Sequence, residues 1–122
     1  MSGTIPTEIG LLSKLETISF SGNAITGDIP SEIGQLSSLR FLSLSGNKLV
    51  GKIPEVIYNL NLQSFDVSEN EISGSLDEGL QNMTSLEILK LSANKFSGPI
   101  PPEFGALTNL GEFEKLDLYC ST

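Results

Sequence analysis

The sequence predicts an α/β solenoid, a fold in which one structural unit recurs along the chain and its strands line up in a parallel sheet. Two observations predict it. Within each unit, apolar and polar residues alternate as in a strand with one buried face. In addition, columns of glycine, asparagine and leucine recur every 23 or 24 residues, and the glycine column is Gly3, Gly27, Gly51, Gly74 and Gly98. One such unit cannot bury its apolar side alone, so the units have to stack and share a core.

Length and composition are those of one domain. The chain has 122 residues, of which 39% are hydrophobic, and its formal net charge is −8. A nucleic-acid partner is not expected, because phosphate binding requires a basic surface. We expect a single domain over residues 1–122. Its parts are a partial repeat at 1–14, repeats at about 15–38, 39–61, 62–85 and 86–109, and a degenerate repeat at 110–122.

Each repeat is predicted to begin with a short strand. In the segment "LRFLSL" at residues 39–44, the side chains of Leu42 and Leu44 point to one face of the strand. Those of Phe41 and Ser43 point to the other face, because side chains alternate along a strand. The leucine side is predicted to be the core, and the opposite side is predicted to be the open face of the sheet.

The residues that follow the strand are predicted to be structural. An asparagine recurs where each strand turns into the core, and its buried amide has to find partners among the backbone groups of the turn. The four positions are Asn23, Asn47, Asn70 and Asn94. Gly51 suits a positive φ or a close backbone approach. Pro54 lacks an N–H and belongs on the outer bend, whereas Ile53, Ile57 and Leu60 are predicted to point inward.

The complete repeat, LxxLxLxxNxLxGxIPxxIGxL, resembles the plant-type leucine-rich repeat, whose mark is LxGxIPxxLGxL. It occurs here as "ITGDIPSEIGQL", "LVGKIPEVIYNL" and "FSGPIPPEFGAL". The resemblance implies a right-handed superhelix with a parallel β-sheet on the concave side, a short second strand near the Leu-x-Gly-x-Ile-Pro segment, and an irregular or 3-10 helical convex side. It also implies recognition of a protein, peptide or glycan ligand, often by the ectodomain of a membrane receptor that works with a co-receptor.

Two repeats depart from this pattern. The third is one residue short, since "LSSL" at 36–39 becomes "LNL" at 60–62, and it has Leu76-Asp77 in place of Ile-Pro. The last repeat fits two frames. A frame that starts at Leu110 puts Lys115 in a core column, whereas a frame that starts at Phe113 needs three extra residues before it. We favour the Phe113 frame, because burying an unpaired lysine is costly.

The open face of the predicted sheet carries the candidate ligand contacts. Its residues fall into columns that cross the strands, and exposed aromatic side chains on such a face are typical of binding hot spots. The predicted ligand-binding residues are Phe41, Ser43, Ser64, Asp66, Ile88 and Lys90. Asp66 and Lys90 lie one repeat apart and are predicted to form a surface ion pair. In the favoured frame, Lys115 and Asp117 continue the two columns.

A sequon, Asn82-Met83-Thr84, is predicted to lie on the return path of its repeat. It shares a column with Gln35, Asn59 and Ala106. A glycan at Asn82 would therefore leave the concave face free in a secreted parent protein. Asn82 is the predicted glycosylation site.

Catalytic chemistry finds no support in the sequence. It contains no histidine, its one cysteine, Cys120, has no base partner, and its glycines serve the repeat rather than a phosphate-binding loop. Metal-ligand spacing is also missing. We expect no catalytic residues, no metal and no cofactor.

Neither a signal peptide nor an apolar run of about 18 residues is visible. Because no polar cap closes either end, we expect either a fragment of a longer array or a truncated gene model. If the parent protein has a kinase domain, that domain lies outside these residues.

The expected location, on the strength of the resemblance, is the outer side of the plasma membrane or the extracellular space. Three other functions are compatible with the repeat. They are a secreted inhibitor of cell-wall-degrading enzymes of the polygalacturonase-inhibitor kind, an ice-binding solenoid, and an intracellular scaffold. Ice binding requires a flat, regular polar array, which Phe41, Asp66 and Lys90 interrupt. A glycan at Asn82 would argue against the scaffold.

Overall fold

The computed structural model describes residues 2–75, 79, 82–97 and 112–114, and these form a solenoid of stacked coils. In this part of the chain, three 3-10 helices span Thr7–Leu11, Ser31–Gln35 and Glu55–Asn59. The strands are β1 (Ser2–Thr4), β2 (Thr17–Ser19), β3 (Ala24–Asp28), β4 (Phe41–Ser43), β5 (Lys48–Val50), β6 (Ser64–Asp66), β7 (Ser73–Ser75), β8 (Ile88–Lys90), β9 (Lys95–Ser97) and β10 (Glu112–Glu114).

The main sheet contains the strand that begins each repeat. Among the described residues it has five parallel strands, in the order β10-β8-β6-β4-β2. Thr17 pairs with Phe41, Phe41 with Ser64, and Ser64 with Ile88, so every strand lies in register with the next. The one-residue deletion at 60–62 does not shift this register. The connection between the 3-10 helix at Glu55–Asn59 and β6 therefore absorbs it. The predicted parallel solenoid is confirmed.

A second set of short strands follows the main sheet, as the resemblance implied. β1, β3 and β5 form a three-stranded parallel sheet, and β7 pairs with β9. These strands lie at the Leu-x-Gly-x-Ile-Pro segment of each repeat, and each of the three 3-10 helices follows directly after a proline of that segment. A complete coil thus consists of a main-sheet strand, a second strand and a return path. The return path is 3-10 helical at Thr7–Leu11, Ser31–Gln35 and Glu55–Asn59, and Gly79 and Asn82 on the next one are also 3-10 helical.

The core lies between the main sheet and the return paths. Leu42 and Leu44 on the strand, and Ile53, Ile57 and Leu60 on the return path, are all buried. These five residues come from two different parts of the sequence pattern and converge on one continuous cluster of buried side chains. Their burial supplies the main favourable term in folding, because each coil covers the apolar side of its neighbour.

Gly51 has both of the properties that the sequence suggested for it. Its φ is +79°, and a Cβ built there would lie 2.5 Å from Oδ1 of Asp28 in the preceding coil. Gly27 and Gly74 also have positive φ. Pro54 precedes a 3-10 helix on the outer bend, where its missing N–H is not needed. The equivalent Asp77 and Gly98 lie outside the described residues.

The frame preferred for the last repeat is wrong. β10 pairs with β8 through Glu112–Ile88, Phe113–Leu89 and Glu114–Lys90, which is the frame that starts at Leu110. The unchanged spacing of 24 residues brings β10 beside β8 without inserted residues, so backbone pairing decides the register. At the level of the backbone, Glu112 and Glu114 therefore continue the two columns that were assigned to Lys115 and Asp117, both of which lie outside the described residues.

The residues at the strand exits lead to a stability prediction. Glu69 and Ala93 both have φ of 57°, where the first two coils have Gly22 and Gly46. A side chain in this left-handed region costs about 1–2 kcal/mol, which glycine avoids at some cost in backbone entropy. We expect Glu69→Gly to raise the free energy of unfolding by about 0.5 kcal/mol. Gly46→Ala should lower it, as chemical denaturation will show. If Glu69→Gly were less stable than the unchanged protein, the positive φ of Glu69 would not be a source of strain.

Candidate functional site

The open face of the main sheet brings the six predicted contact residues together. Phe41, Ser64 and Ile88 are register partners on the adjacent strands β4, β6 and β8. The second column holds Ser43, Asp66 and Lys90 on the same three strands. Side chains alternate along these strands, so the residues between the columns face the core. The six side chains therefore share one surface, named here the open-face site.

The first column of the open-face site places a small residue, Ser64, between two larger apolar residues. The Phe41 side chain is 44% exposed, whereas Ser64 and Ile88 are half-buried. Because neighbouring strands are about 4.8 Å apart, Phe41 and Ile88 stand roughly 10 Å from each other, one on each side of Ser64. The position of the small serine between these two larger side chains is named here the trough.

Charged groups lie beside the trough. Oδ1 of Asp66 accepts hydrogen bonds from the Ser68 backbone N–H at 3.0 Å and from the Ser68 hydroxyl at 2.6 Å. These two bonds restrain the carboxylate at the end of β6. Lys90 is the register partner of Asp66 on β8. The ion pair between them remains a prediction. Opposite charges next to an apolar trough would favour ligands that combine apolar and charged groups.

The asparagine ladder supports the strand ends below this site. The Asn70 amide Nδ2 donates to the carbonyl oxygens of Leu44, Val67 and Ser68, and its Oδ1 accepts from the Leu49 backbone N–H at 3.0 Å. Asn47 makes the same pattern of bonds one coil earlier. Asn94 repeats it one coil later. Each of these three asparagines joins its own coil to the preceding one.

Asn23 belongs to the first of these coils. Its Nδ2 donates to the backbone carbonyls of Phe20 and Ser21 in its own coil. In the partial repeat at 1–14, Leu12 is 54% exposed, whereas Leu36 in the same column is fully buried. The difference arises because Leu36 is covered by coils on both sides and Leu12 is covered on one side only. The partial repeat at 1–14 therefore exposes apolar side chains that the same columns bury in the following repeats.

Asn82 lies on the return path and is exposed. Together with Glu55, Tyr58, Asn59 and Gly79 it lines a groove of about 230 Å³, named here the Asn82 groove. Sequence reasoning missed this groove. The available signal was a pair of replacements: tyrosine stands at 58 where the two preceding repeats have glycine, and glycine stands at 79 where the preceding repeat has valine.

Metal-binding clusters and membrane-spanning helices are absent from residues 2–75, 79, 82–97 and 112–114. No group of three acidic, cysteine or histidine side chains in these ranges is arranged to hold a metal ion. Within the same ranges, no helix has the length and apolar character needed to cross a membrane. Cys120 lies outside the described residues.

Family models for leucine-rich repeats match consecutive segments of the chain. A model described as "Leucine Rich repeats (2 copies)" matches residues 13–58. A model described as "Leucine Rich Repeat" matches residues 61–83 and 85–107. Together they span most of the sequence. A comparison with curated protein sequences gives no match.

Plant receptors are among the solved structures similar to this chain. The crystal structure of PEPR1-AtPEP1 has a TM-score of 0.88 and 38% identity, and the match covers 91% of this chain and 16% of that one. The Arabidopsis receptor kinase HAESA, in complex with the peptide hormone IDA and the co-receptor SERK1, has a TM-score of 0.87 and 36% identity. That match covers 96% of this chain and 19% of the HAESA chain.

A plant ice-binding protein is also similar, with a TM-score of 0.84 and 33% identity over 87% of this chain and 35% of that one. The chain therefore spans about a sixth to a fifth of the length of the two receptor chains and about a third of the ice-binding protein.

Proposed function

The chain belongs to the leucine-rich repeat proteins, and we propose that it is a non-catalytic recognition module that binds a peptide through the open-face site. The observation that carries this proposal is the position of Phe41. It is a half-exposed aromatic side chain in register with Ser64 and Ile88 on an otherwise regular sheet. Large aromatic side chains dominate binding energy at protein interfaces, and such exposure has a cost when nothing covers it.

The proposed ligand crosses the strands of the main sheet. An apolar ligand side chain occupies the trough over Ser64, while Ser43, Asp66 and Lys90 bind its polar groups. A protein or glycan with the same combination of groups would fit less well, because the trough is only one side chain wide. The peptide complex described for HAESA supports this choice of ligand class.

The parent protein, in this proposal, is a cell-surface receptor. Its leucine-rich repeats lie outside the cell, it is anchored in the plasma membrane, and a co-receptor completes the bound state. The similarity to HAESA, which was crystallised with the co-receptor SERK1, supports this arrangement. Signal transduction would then depend on domains other than the repeats.

Substitution of Phe41 tests the site. Random linear peptides displayed on phage are selected against the chain, and the affinity of an enriched peptide is measured by isothermal titration calorimetry. We expect Phe41→Ala to weaken binding about tenfold or more. Val50→Ala is the matched control, because Val50 is 41% exposed on β5 of the second sheet. Equal losses in the two variants, or a failure to enrich any peptide, would contradict the proposal.

Ice binding is the second candidate, and the similarity to a plant ice-binding protein favours it. The composition of the open face argues against ice binding. Phe41, Asp66 and Lys90 interrupt the rows of polar residues that serines form at other positions of this face. Ice-recrystallisation and thermal-hysteresis measurements on the chain separate the two candidates. Activity in both, together with no peptide binding, would replace the receptor proposal with this one.

A further inference from the structure

The Asn82 groove differs from the equivalent surface of the other described coils. Tyr58 occupies the column of Gly10 and Gly34. At Gly34 a Cβ would lie 2.6 Å from Cγ2 of Val56 in the next coil, so a larger residue does not fit there. Tyr58 is accommodated because the following coil has Gly79 where Val56 stands. A Cβ at Gly79 would in turn lie 2.6 Å from Cδ2 of Tyr58.

The larger residue at Tyr58 and the smaller residue at Gly79 together shape the groove. Tyr58 is 3% exposed and closes the floor, while the missing side chain at Gly79 leaves space above it. Glu55 and Asn59 line the same groove and are exposed. A carboxylate and an amide at the rim, with an aromatic residue below, present hydrogen-bond partners and a small apolar surface. That combination suits a sugar ring, which has both polar and apolar faces.

The Asn82 side chain has a short path into this groove. In the equivalent column two coils earlier, Oε1 of Gln35 reaches over the preceding coil, where a Cβ at Gly10 would lie only 2.7 Å from it. Tyr58 stands in the column of Gly10, and Asn82 stands in the column of Gln35. A group attached to Asn82 is therefore directed over Tyr58, and Asn82 itself lines the groove.

We propose that Asn82 carries an N-linked glycan whose first N-acetylglucosamine lies in the Asn82 groove, bound by Glu55 and Asn59. This proposal rests on the extracellular location in the proposed function. The glycan covers the junction between the repeats at 39–61 and 62–85, on the side away from the main sheet. The open-face site stays free, so a ligand and the glycan bind at the same time.

The modification is a group transfer from a lipid-linked oligosaccharide diphosphate in the secretory pathway. Nδ2 of Asn82 forms a bond to the anomeric carbon of N-acetylglucosamine and loses one proton. The bond between that carbon and the diphosphate oxygen breaks, and the lipid diphosphate leaves with the bonding electrons. No oxidation or reduction occurs. Thr84 supplies the hydroxyl that the sequon requires.

The first measurement is site occupancy. The 122-residue chain is secreted from a plant or insect cell line behind a cleavable signal, and the peptide that contains Asn82 is analysed by mass spectrometry. We expect a glycan at Asn82 and none in Asn82→Gln. Secreted protein with an unmodified Asn82 would overturn the proposal, whereas loss of peptide binding at the open-face site would overturn only the proposed function.

The second measurement tests the groove. The glycan is trimmed enzymatically to one N-acetylglucosamine, and thermal unfolding is compared with that of Asn82→Gln. We expect the single sugar to raise Tm by about 3 °C, and this gain should disappear in Glu55→Ala/Asn59→Ala. The matched control is Gln35→Asn in the Asn82→Gln background, which creates a sequon with Ser37 beside Gly10, where no tyrosine closes the floor. A sugar there should not raise Tm. Equal gains at the two positions, or no gain at Asn82, would refute the groove contact.

Discussion

Asn70→Ala is expected to lower the free energy of unfolding by about 3–5 kcal/mol, because one substitution removes the partners of several buried backbone groups. Asn70 is 8% exposed. Without its amide, the Leu49 N–H loses its acceptor, and the carbonyls of Leu44, Val67 and Ser68 lose a donor. An unsatisfied buried donor alone costs about 1–3 kcal/mol. Since small domains are stable by only about 5–15 kcal/mol, this loss is a large fraction of the total.

The consequences of Asn70→Ala should be local as well as global. The asparagine joins the second and third coils, and stability in a solenoid depends on contacts between neighbouring coils. Urea denaturation followed by circular dichroism gives the total loss. Amide hydrogen exchange should show that the Leu49 N–H loses more protection than amides in the first coil. Alanine at Asn70 with unchanged stability would show that the ladder contributes little.

Asn23→Ala provides the matched control for this prediction. It changes the same residue type in the same column, but Asn23 is half-buried, and the carbonyls of Phe20 and Ser21 to which it donates lie closer to water. In Asn23→Ala, water can donate some of the hydrogen bonds that these two carbonyls receive from the Asn23 amide. We expect a loss of about 1 kcal/mol. Equal losses for Asn23→Ala and Asn70→Ala would mean that burial does not determine the contribution of the ladder.

Phe65→Ala is expected to cost about 3–5 kcal/mol, because it empties the centre of the core. Phe65 lies on β6, the middle strand of the main sheet, and its side chain is completely buried. Its register partners Leu42 and Leu89 are buried as well. Their backbone is held by the parallel sheet, so the surrounding structure can close the cavity only in part. Cavities that do not collapse are the most destabilising.

Phe65→Leu separates volume from hydrophobicity. A leucine keeps most of the apolar surface and matches the residue found at this position in the neighbouring strands, so we expect a loss below about 1.5 kcal/mol. Thermal and chemical denaturation of both variants provide the comparison. Phe65→Leu should also retain peptide binding, because Ser64 and Asp66 stay on the same strand. A cost below 1 kcal/mol for Phe65→Ala, against about 3–5 kcal/mol expected, would contradict the central position of Phe65 in the core.

Most of the fold was predictable because each structural role depends on residues within one repeat. Alternation around Leu42 and Leu44 indicated the buried face of the strand, and both residues are buried. The columns of the open face followed from the same alternation. Phe41, Ser64 and Ile88 could thus be placed side by side before any coordinates, because the spacing between repeats is nearly constant.

Other features could not be predicted, because they depend on two coils at once. The strained φ of Glu69 is imposed by a strand exit that its neighbours share, although glutamate itself disfavours that conformation. The Asn82 groove arises from Tyr58 in one coil and Gly79 in the next. Read separately, each of these residues is only a departure from the repeat pattern.

Periodic columns in the sequence were sufficient to determine the stacked coils, the parallel strands, the inward leucines and the turns at asparagine and glycine. A repeated pattern is sufficient because every coil packs against its neighbours in the same way, with the same residue types at equivalent positions. Only the tertiary structure decided the register of β10, where the cost of placing Lys115 argued for one frame and backbone pairing with β8 selected the other. It also revealed the Asn82 groove, which Tyr58 and Gly79 shape together. Both outcomes depend on contacts between residues about 24 positions apart, whose energies act together when the coils close on one another.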